Sequence, residues 1–446
     1  MICALLAGAP ATAGGFVMGN GSPKAIGRAG TSTVSDDGAG ALLGNPAAIA
    51  RRDGYRAQAG FVFVDDELSW QSATAGAPIA RDQAPSSVAP YLAAFGAVAG
   101  WVIGLGAMTS SVTDRSWRRP SDVANPSEIA SAFDYRYTGI AGAARRDTLT
   151  LGAARRFGDS VALGVALGAS RVTLTEVRRV WAGFSGRDVI GSALQDVEIG
   201  FSGTDRFAPS AIAGVFVAPE HTSLEFGASV GWAATAHIHV ADVAATGTSG
   251  GPSIRSTASV ATLDVRQPIT VRAGGRYVRD RFVVELGGEL AICSSAAADA
   301  AWVVEGVRVV DSTGVEVPLA SVPSRVSMRT HGGVRAAVDA ELAAGFLWAT
   351  AGYGFSIASV EDTRQSPNFA DLGGHTLGLG IEATAGGVAV TLGWSRTWAT
   401  TRSIATSQRL DNPFQAGDRA VPAGTYDGSV DQIGILVDAE FGSPRL

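Results

Sequence analysis

Two closely spaced histidines are the first candidates for chemistry in this sequence. His237 and His239 would lie on one face of a β-strand, a spacing that could hold a metal ion. A closed metal site needs further ligands, and no third one is evident near this pair. We therefore interpret them as polar side chains on the inner face of a strand, and we predict neither a metal site nor a cofactor.

Hydrolysis by a serine, a histidine and an acid would need a serine that its surroundings single out. The chain has five histidines, but no motif distinguishes one serine from the others. Its two cysteines, Cys3 and Cys293, form no Cys-x-x-Cys pair, which excludes zinc-ribbon and thiol redox sites. The protein is therefore predicted not to be an enzyme, and a lipid-acting barrel enzyme stays as the least favoured alternative.

Arginines and short apolar stripes cluster in stretches that have no strand pattern. Arg115, Arg118 and Arg119 could bind lipopolysaccharide phosphates or a ligand carboxylate, although solvated loop arginines are more common. The residues Asn-Pro-Ser-Glu at 125–128 form a capping box, which predicts the start of a short helix. A second short helix is predicted over 189–197, from apolar residues at helical spacing.

Both short helices would lie in long loops, where their apolar faces must be buried against something. They either pack on each other and on the rim of the protein, or form an apolar groove that first captures a hydrophobic ligand. The residues of such an external groove would be Ile129, Phe133, Val189, Ile190, Leu194 and Val197.

The elements that position these groups are β-strands, because apolar and polar residues alternate along much of the chain. From Leu224 to Val240 every even-numbered residue is apolar, so one face of the strand is apolar without a break. Its nine positions match the roughly 9–11 residues with which a tilted strand crosses a bilayer.

The composition agrees with a membrane protein or a large β protein. Hydrophobic residues make up 46% of the chain and charged residues only 17%, whereas soluble domains carry about 25% charged residues. The net charge of -6 gives no support for nucleic-acid binding, which needs a clustered basic face.

Fourteen strands are predicted, joined alternately by short turns and long loops, which is typical of an antiparallel transmembrane β-barrel. The fold class is therefore an all-β membrane protein. The predicted strand ranges are 54–68, 88–96, 99–111, 145–157, 160–176, 205–218, 222–238, 258–276, 280–294, 326–340, 343–358, 373–385, 387–400 and 428–441.

The charge-free stretch 88–108 leaves one alternative open. It is long and apolar enough for a transmembrane helix, with a G-x-x-x-G face that includes Gly100 and Gly104. As a β-hairpin instead, it would turn near Ala97, and its second strand would contain Gly100, Gly104 and Gly106. Those glycines would weaken that strand and permit a kink or a bulge.

The first residues, 1–13, resemble the end of a secretory signal peptide. An apolar core from Ile2 to Leu6 precedes the small residues Ala11 and Ala13, which suit positions -3 and -1 of a cleavage site. The mature chain would then begin with the polar, glycine-rich stretch after Ala13.

That stretch resembles the N-terminal region of the FadL-like family, outer-membrane transporters of long-chain fatty acids and other hydrophobic compounds. The similarity rests on three spaced blocks and on Phe16 near the mature N-terminus. The blocks are Gly27-Arg28-Ala29, Asp36-Asp37 and Asn45-Pro46-Ala47. The spacing carries the similarity, because each block alone is common.

The resemblance implies a 14-stranded barrel over residues 54–446 that is plugged by a small N-terminal hatch over residues 14–53. The hatch would contain the three blocks and Phe16, with Arg28 as counter-ion of Asp36 and Asp37 or of a barrel carboxylate such as Glu285 or Glu289. The family captures its ligand at an external groove and passes it to a pocket inside the barrel. A kinked third strand, here 99–111, would then let the ligand leave sideways into the membrane.

The resemblance also implies a passive transporter in the outer membrane of a Gram-negative bacterium. Its partners would be a hydrophobic small molecule, such as a fatty acid or a hydrocarbon, and the surrounding lipid and lipopolysaccharide, and we expect a monomer. A general diffusion porin is the alternative, which the hatch disfavours because a plug would restrict a porin for no purpose.

Overall fold

Alternating apolar and polar residues form long antiparallel strands in the computed structural model of the protein. The structure describes residues 11–13, 22–119, 133–183, 193–297, 300–311, 313–404, 409–411, 414, 418–420 and 424–441. In these segments, buried and exposed residues alternate along most strands, as expected when one face of a sheet points inward.

Fourteen of the strands form a closed antiparallel barrel, which confirms the predicted fold class. Strand β1 pairs with β14 from Tyr55–Phe441 to Ser72–Gly424, and this pairing closes the sheet. The strands are β1 (Tyr55–Ser72), β2 (Ser87–Val98), β3 (Trp101–Ser116), β4 (Ala141–Phe157), β5 (Val161–Trp181), β6 (Asp196–Val217), β7 (Leu224–Ala233), β8 (Ile269–Arg279), β9 (Phe282–Ile292), β10 (His331–Ala343), β11 (Leu347–Ala358), β12 (Gly373–Ala385), β13 (Val388–Ala399) and β14 (Gly424–Phe441).

Short turns lie at one end of the barrel and long connections at the other, as predicted. The stretch 88–108 is the hairpin of β2 and β3, not a helix, and Ala99 and Gly100 form its turn. Their φ angles of 50° and 78° suit the two-residue turn that matches strand twist. None of the helices among the described residues has the length and apolar character of a membrane span.

The outward face of the barrel is an apolar belt. On β5, the outward residues Leu163, Val165 and Leu167 are 49%, 53% and 63% exposed, whereas the neighbouring inward residues Ala162 and Ala166 are buried. Alternation with the apolar residues outside is the reverse of a water-soluble barrel and is the arrangement of a transmembrane barrel.

Two predicted strands are wrong because each is broken. The predicted strand 222–238 ends as β7 at Ala233, and a separate strand starts at Ala236. The predicted strand 258–276 consists of an outer strand that ends at Val265 and of β8, which starts at Ile269. Pro268 lies in the second break, where a residue without an N–H group cannot continue the ladder.

The outer pieces form a sheet beyond the long-loop end of the barrel. The strand Ser253–Val265 pairs with Ala236–Val240 on one side and with Ala301–Val310 on the other. A large apolar core holds this sheet, and Phe201 stacks on Trp302 in it at a centroid distance of 4.5 Å.

The remaining elements are short. The other short strands are Ala11–Ala13, which pairs in parallel with β11, Ile79–Arg81, Ala244–Gly247, Glu316–Pro318, Ser321–Pro323, Arg402–Ile404, Arg409–Asp411 and Asp418–Ala420. Short 3-10 helices lie in the connections at Asp134–Tyr137, Ala193–Gln195, Ser295–Ala297 and Asp362–Arg364.

Residues 22–53, which we call the N-terminal segment, lie inside the barrel. They form the helices α1 (Pro23–Gly27) and α2 (Ala39–Leu43) and the 3-10 helix Pro46–Arg51. Helix α1 packs on β12 to β14, and the 3-10 helix packs on β4 to β6 across the lumen. Side-chain caps start two of these short helices, Ser22 for α1 and Asn45 for the 3-10 helix.

Inward-facing glycines of the wall make room for the N-terminal segment. Leu42 of α2 lies in a notch formed by Gly104 and Gly106 of β3 and Gly152 of β4. A Cβ atom at Gly106 would lie 2.9 Å from a Leu42 methyl carbon, and one at Gly152 would overlap the other methyl. Leu42 is fully buried as a result.

Gly152→Val is expected to displace Leu42 and to loosen the N-terminal segment. Overpacking of a filled site costs about 1–3 kcal/mol, so the thermal midpoint of the purified barrel should fall and ion conductance in planar bilayers should rise. Gly275→Val is the matched control, because a Cβ there would lie 3.4 Å from the Phe226 ring on the outward face and 3.9 Å from the Glu225 carbonyl, both ordinary contacts. Equal effects of the two variants would contradict the notch.

Candidate ligand site inside the barrel

A buried arginine anchors the N-terminal segment to the wall. Arg28 is 1% exposed, and its Nη2 donates to Glu285 Oε2 of β9 at 2.7 Å. Its Nη1 donates to Asp339 of β10, and its Nε donates to the carbonyl of Thr31 at 2.9 Å. Glu285 also accepts from the backbone N–H of Val34 at 2.9 Å, so this carboxylate binds the segment twice.

The acidic pair serves the segment's own geometry and the start of β1. Asp36 accepts from the Ser22 hydroxyl and from the Gly38 N–H, which ties the turn before α2 to the N-cap of α1. Asp37 pairs with Arg52 at 3.1 Å, while Arg56 of β1 donates to the Asp37 carbonyl at 2.9 Å. Neither carboxylate binds Arg28; among the carboxylates proposed from the sequence, Arg28 binds Glu285.

The other predicted hatch residues also lie against the wall. Gly27 approaches β12 so closely that a Cβ there would lie 2.9 Å from the Cα of Gly380. The Asn45 amide donates to the carbonyls of Thr33 and Val215, both at 3.1 Å. The residues Ala29, Asn45, Pro46 and Ala47 are all buried. Phe16 lies outside the described residues.

A cavity of about 180 Å³ lies in the lumen between the N-terminal segment and the long-loop end. Leu43, at the end of α2, forms part of its lining together with apolar side chains from both sides of the barrel. The apolar lining includes Leu43, Ala144, Val172, Leu174, Ile212, Val265, Pro268, Ala291 and Met328. We call this space the lumen cavity.

Arg146 of β4 brings a cation into this mostly apolar cavity. Its Nε donates to Ser170 Oγ at 2.9 Å and its Nη1 to Gln267 Oε1 at 3.2 Å. Both partners are uncharged, and no carboxylate among the described residues lies within 4.0 Å of it. By contrast, Arg272 at the same cavity is paired with Glu289 at 2.9 Å.

A guanidinium in an apolar site favours an anion, because a buried charge is costly unless it is paired. Arg146 is not among the site residues predicted from the sequence. A usable signal exists, since Arg145 and Arg146 open a predicted strand and must place one cation on each face of it.

The wall has an opening between β2 and β3. Their ladder ends at the pair Tyr91–Met108, although β3 continues with β4 as far as Ser116–Ala141. Residues Ser87–Pro90 of β2 therefore pair only with β1, and residues Thr109–Ser116 of β3 pair only with β4. We call this opening the slit.

A bulge, not a glycine, bends the third strand beside the slit. The register of β3 against β4 shifts between Thr109 and Ser111, which leaves Ser110 as the extra residue. Gly100 lies in the hairpin turn, outside the strand to which it was assigned. Gly104 and Gly106 face inward and hold Leu42, because their missing side chains supply space rather than flexibility.

The predicted external groove is not a shared surface. Val197 was expected on a helix but lies on β6, fully buried in the core of the outer sheet. Phe133 is buried in a different cluster with Trp70 and Tyr135. Leu194 lies in a 3-10 helix and is half exposed. The strand pairing of Val197 with Val180 overrides its helical spacing.

Ile129, Val189 and Ile190 lie outside the described residues, and so does the capping box. All three predicted loop arginines have partners, and Arg115 lies on β3, not in a loop. Arg115 pairs with Asp66 at 2.8 Å, and Arg119 pairs with Glu198 at 2.9 Å. Arg118 stacks over the ring of Phe133.

The two histidines are on the surface, not on an inner face. They lie on the outer strand Ala236–Val240, where His237 is 72% exposed and contacts Asp264 at 2.7 Å. The strand break before Ala236 explains the error, because it moves the histidines out of the barrel wall. The described residues contain no cluster of three or more metal-ligating side chains.

The connection between β11 and β12 crosses the long-loop end of the lumen. Its Asn368 amide donates to the carbonyls of Ala141 and Val177, on β4 and β5, at 2.7 and 3.2 Å. Burial raises the pKa of Asp371 in this connection, against hydrogen bonds from the N–H groups of Ser359 and Gly373 that lower it. The connection therefore extends from β11 across to β4 and β5, and its residues Ala370–Leu372 line a second cavity of about 100 Å³ in the lumen.

Solved structures with the same architecture include a FadL homologue and two toluene transporters. A FadL homologue of Pseudomonas aeruginosa matches with a TM-score of 0.73 and 13% identity, over 96% of this chain and all of that one. The toluene transporter TodX of P. putida matches at 0.66 and 15%, over 94% and 98% of the chains. The toluene transporter TbuX of Ralstonia pickettii matches at 0.65 and 13%, with the same coverage.

The chain has the fold of these channels. No family model and no curated protein sequence matches it. At 13–15% identity the similarity establishes the FadL-type architecture and not the ligand.

Arg28→Ala is expected to destabilise the barrel strongly, because it leaves Glu285 buried without its cation. Breaking a buried ion pair from one side costs about 3–5 kcal/mol. Arg279→Ala is the control, since the Arg279–Asp280 pair is 72% and 89% exposed and such pairs contribute about 0–1 kcal/mol. Thermal unfolding of both variants measures the difference, and similar midpoints would refute the anchoring role of Arg28.

Proposed function

We propose that this protein is a passive outer-membrane transporter of hydrophobic compounds with an anionic headgroup, of which long-chain fatty acids are the typical case. The fold of FadL-type and toluene channels supports a hydrophobic cargo. The lumen cavity supports the anionic class, because it combines an apolar lining with the unneutralised cation of Arg146. This juxtaposition is the observation on which the proposal depends.

The driving force for such transport is the removal of apolar ligand surface from water. Each Å² of apolar surface buried contributes about 25 cal/mol, so a long acyl chain favours first the apolar cavity and then the membrane. No energy source is needed, and the protein acts as a binding and guiding surface rather than as an enzyme.

The N-terminal segment would act as the hatch of this path. It lies below the lumen cavity, and its residues Leu42 and Leu43 connect the wall notch with the cavity lining. A ligand could thus not pass straight through the barrel while the segment is in place. The slit between β2 and β3 would instead offer a sideways exit, beside the third strand that was predicted from the sequence to let the ligand leave.

Neutral aromatic hydrocarbons are the second candidate cargo, because the structural neighbours TodX and TbuX are toluene transporters. They would leave Arg146 without an anionic partner. A general diffusion porin is disfavoured by the buried, ion-paired segment in the lumen. A lipid-acting enzyme is disfavoured because no sequence motif singles out a catalytic serine.

Arg146→Gln is expected to weaken the binding of a long-chain fatty acid to the purified protein. Hydrogen bonds to charged groups contribute about 1.5–3 kcal/mol, which corresponds to a roughly 10–100-fold rise in Kd. The affinity for the methyl ester of the same acid should stay within about twofold. Displacement of a fluorescent fatty acid gives both values.

Arg155→Gln is the control for this measurement. It removes the same charge from the same strand, but the Arg155 guanidinium lies over the outward rings of Trp101 and Phe157 at the short-turn end. A fatty-acid affinity unchanged by Arg146→Gln would exclude the anionic cargo and leave neutral hydrocarbons.

Removal of residues 14–53 is expected to convert the barrel into an open channel, because these residues include the segment that fills the lumen. Conductance in planar bilayers should then rise by about tenfold or more, as in water-filled porins. The full-length chain reconstituted in parallel is the reference. A conductance that the deletion does not change would refute the hatch.

A further inference from the structure

Adjacent arginines of β4 face opposite sides of the barrel wall. Arg146 points into the lumen cavity, where it contacts Ser170 and Gln267. Arg145 points outward, because neighbouring residues of a strand alternate between the two faces. The two guanidinium groups therefore stand on either side of the wall, one residue apart, next to the slit.

Arg145 is the centre of a hydrogen-bond network that straddles three strands. Its Nε donates to Asp147 Oδ1 at 2.9 Å and its Nη2 to Thr109 Oγ1 of β3 at 2.9 Å. The Thr109 hydroxyl in turn donates to Asp147 at 2.7 Å. The third contact is the unusual one, since Nη1 donates to the backbone carbonyl of Val88 in β2 at 3.1 Å.

The bond from Arg145 to Val88 spans the slit. The slit is bounded below by the last ladder pair, Tyr91–Met108, and above by the hydrogen bond from the Gln83 N–H to the Ser116 carbonyl at 2.8 Å. Between these edges, the bond from Arg145 to Val88 is the one hydrogen bond in the described structure that joins Ser87–Pro90 of β2 to β3 or β4.

Space lies behind the slit and an apolar surface lies in front of it. Ser110 and Ser111 beside the slit line the lumen cavity. Val112 and Thr113 line a second, separate cavity inside the barrel, of about 100 Å³. Directly below the slit, the outward face presents an apolar groove lined by Leu92, Ala94, Leu105 and Ala107.

We propose that Arg145 is a latch across the slit, which the anionic headgroup of a departing ligand releases. Arg146 holds the headgroup in the lumen cavity, and Arg145 then receives it by exchanging the Val88 carbonyl and Asp147 for the ligand's carboxylate. The acyl chain leaves through the opened slit onto the apolar outward surface. This inference rests on the proposed function and adds its exit selectivity.

The network is suited to such an exchange because a ligand can reach it. The side chains of Arg145 and Asp147 are 37% and 44% exposed on the outward face, so an arriving carboxylate has access to the guanidinium. A carboxylate binds a guanidinium more strongly than a carbonyl does, because both partners are charged. A neutral ligand lacks this means of displacing Val88, so the latch admits acids in preference to esters or hydrocarbons.

The test compares the transfer of a long-chain fatty acid and of its methyl ester through the reconstituted full-length protein into lipid vesicles. For Arg145→Gln, we expect the ratio of acid to ester transfer rates to fall by about fivefold or more, chiefly because the ester moves faster. A faster ester is a gain that a merely damaged barrel would not show. Arg145→Lys, which keeps the cation, should retain most of the ratio.

Asp147→Asn is a second variant with the opposite expectation. It removes the acid that competes with the ligand for Arg145, so the acid-to-ester ratio should rise by about twofold or more. Arg171→Gln is the matched control, because Arg171 lies on β5 opposite Asp147 in the ladder, one strand further from the slit. Its ratio should equal that of the wild-type protein.

The outcomes separate this inference from the proposed function. Unchanged ratios in both Arg145→Gln and Asp147→Asn would overturn the latch, provided that both variants show the heat-dependent gel mobility of a folded barrel. If fatty-acid binding itself does not depend on Arg146, the proposed function fails instead. If one variant does not fold, the other still tests the latch. The acid-to-ester ratio is expected to fall for Arg145→Gln and to rise for Asp147→Asn, so each variant has its own expected result.

Discussion

The close approach of the N-terminal backbone to the barrel wall is the constraint on which the rest of the structure depends. Where the segment meets the wall, the wall residue is repeatedly a glycine whose Cβ would overlap backbone atoms of the segment. Gly164 faces Ala47, Gly352 faces Arg28, and Gly393 faces Pro23 in this way. Steric exclusion at these positions therefore fixes the height of the segment in the lumen and determines which strands it contacts.

Ion pairs add to this steric constraint on the position of the N-terminal segment. At the level of the segment, the inward charges form ion pairs, such as Arg28 with Glu285 and Lys24 with Glu382. Above it, Arg146 has neutral partners only. The lumen is thus divided into a lower zone, where wall charges hold the protein's own chain, and an upper zone, where Arg146 has no carboxylate partner among the described residues.

The barrel itself was predictable because its signal is local. Period-two alternation is a property of each strand alone, and it identified fourteen strands with alternating turn and loop lengths. The same signal failed where the chain leaves the wall. The apolar residues Val230 and Ile238 share one alternating face, yet Val230 is exposed on the belt and Ile238 is buried in the outer core. Periodicity describes a face of a strand and cannot name its surroundings.

The predicted loop helix at 189–197 failed for a related reason. Val197 has helical spacing to its neighbours in sequence, but its ladder partner Val180 on β5 decides its conformation. Strand pairing between distant segments adds a row of hydrogen bonds that a short isolated helix cannot match.

The amino-acid sequence therefore determined the strand count, the apolar belt and the three spaced blocks of the N-terminal segment, since each depends on residues close together in the chain. The partners of those blocks came only from tertiary structure. Arg28 meets Asp339 across 311 residues, after the barrel has closed around the segment. The slit also follows from closure, because a ladder ends where two strands separate in space, and closure is what places Arg145 and Arg146 beside it.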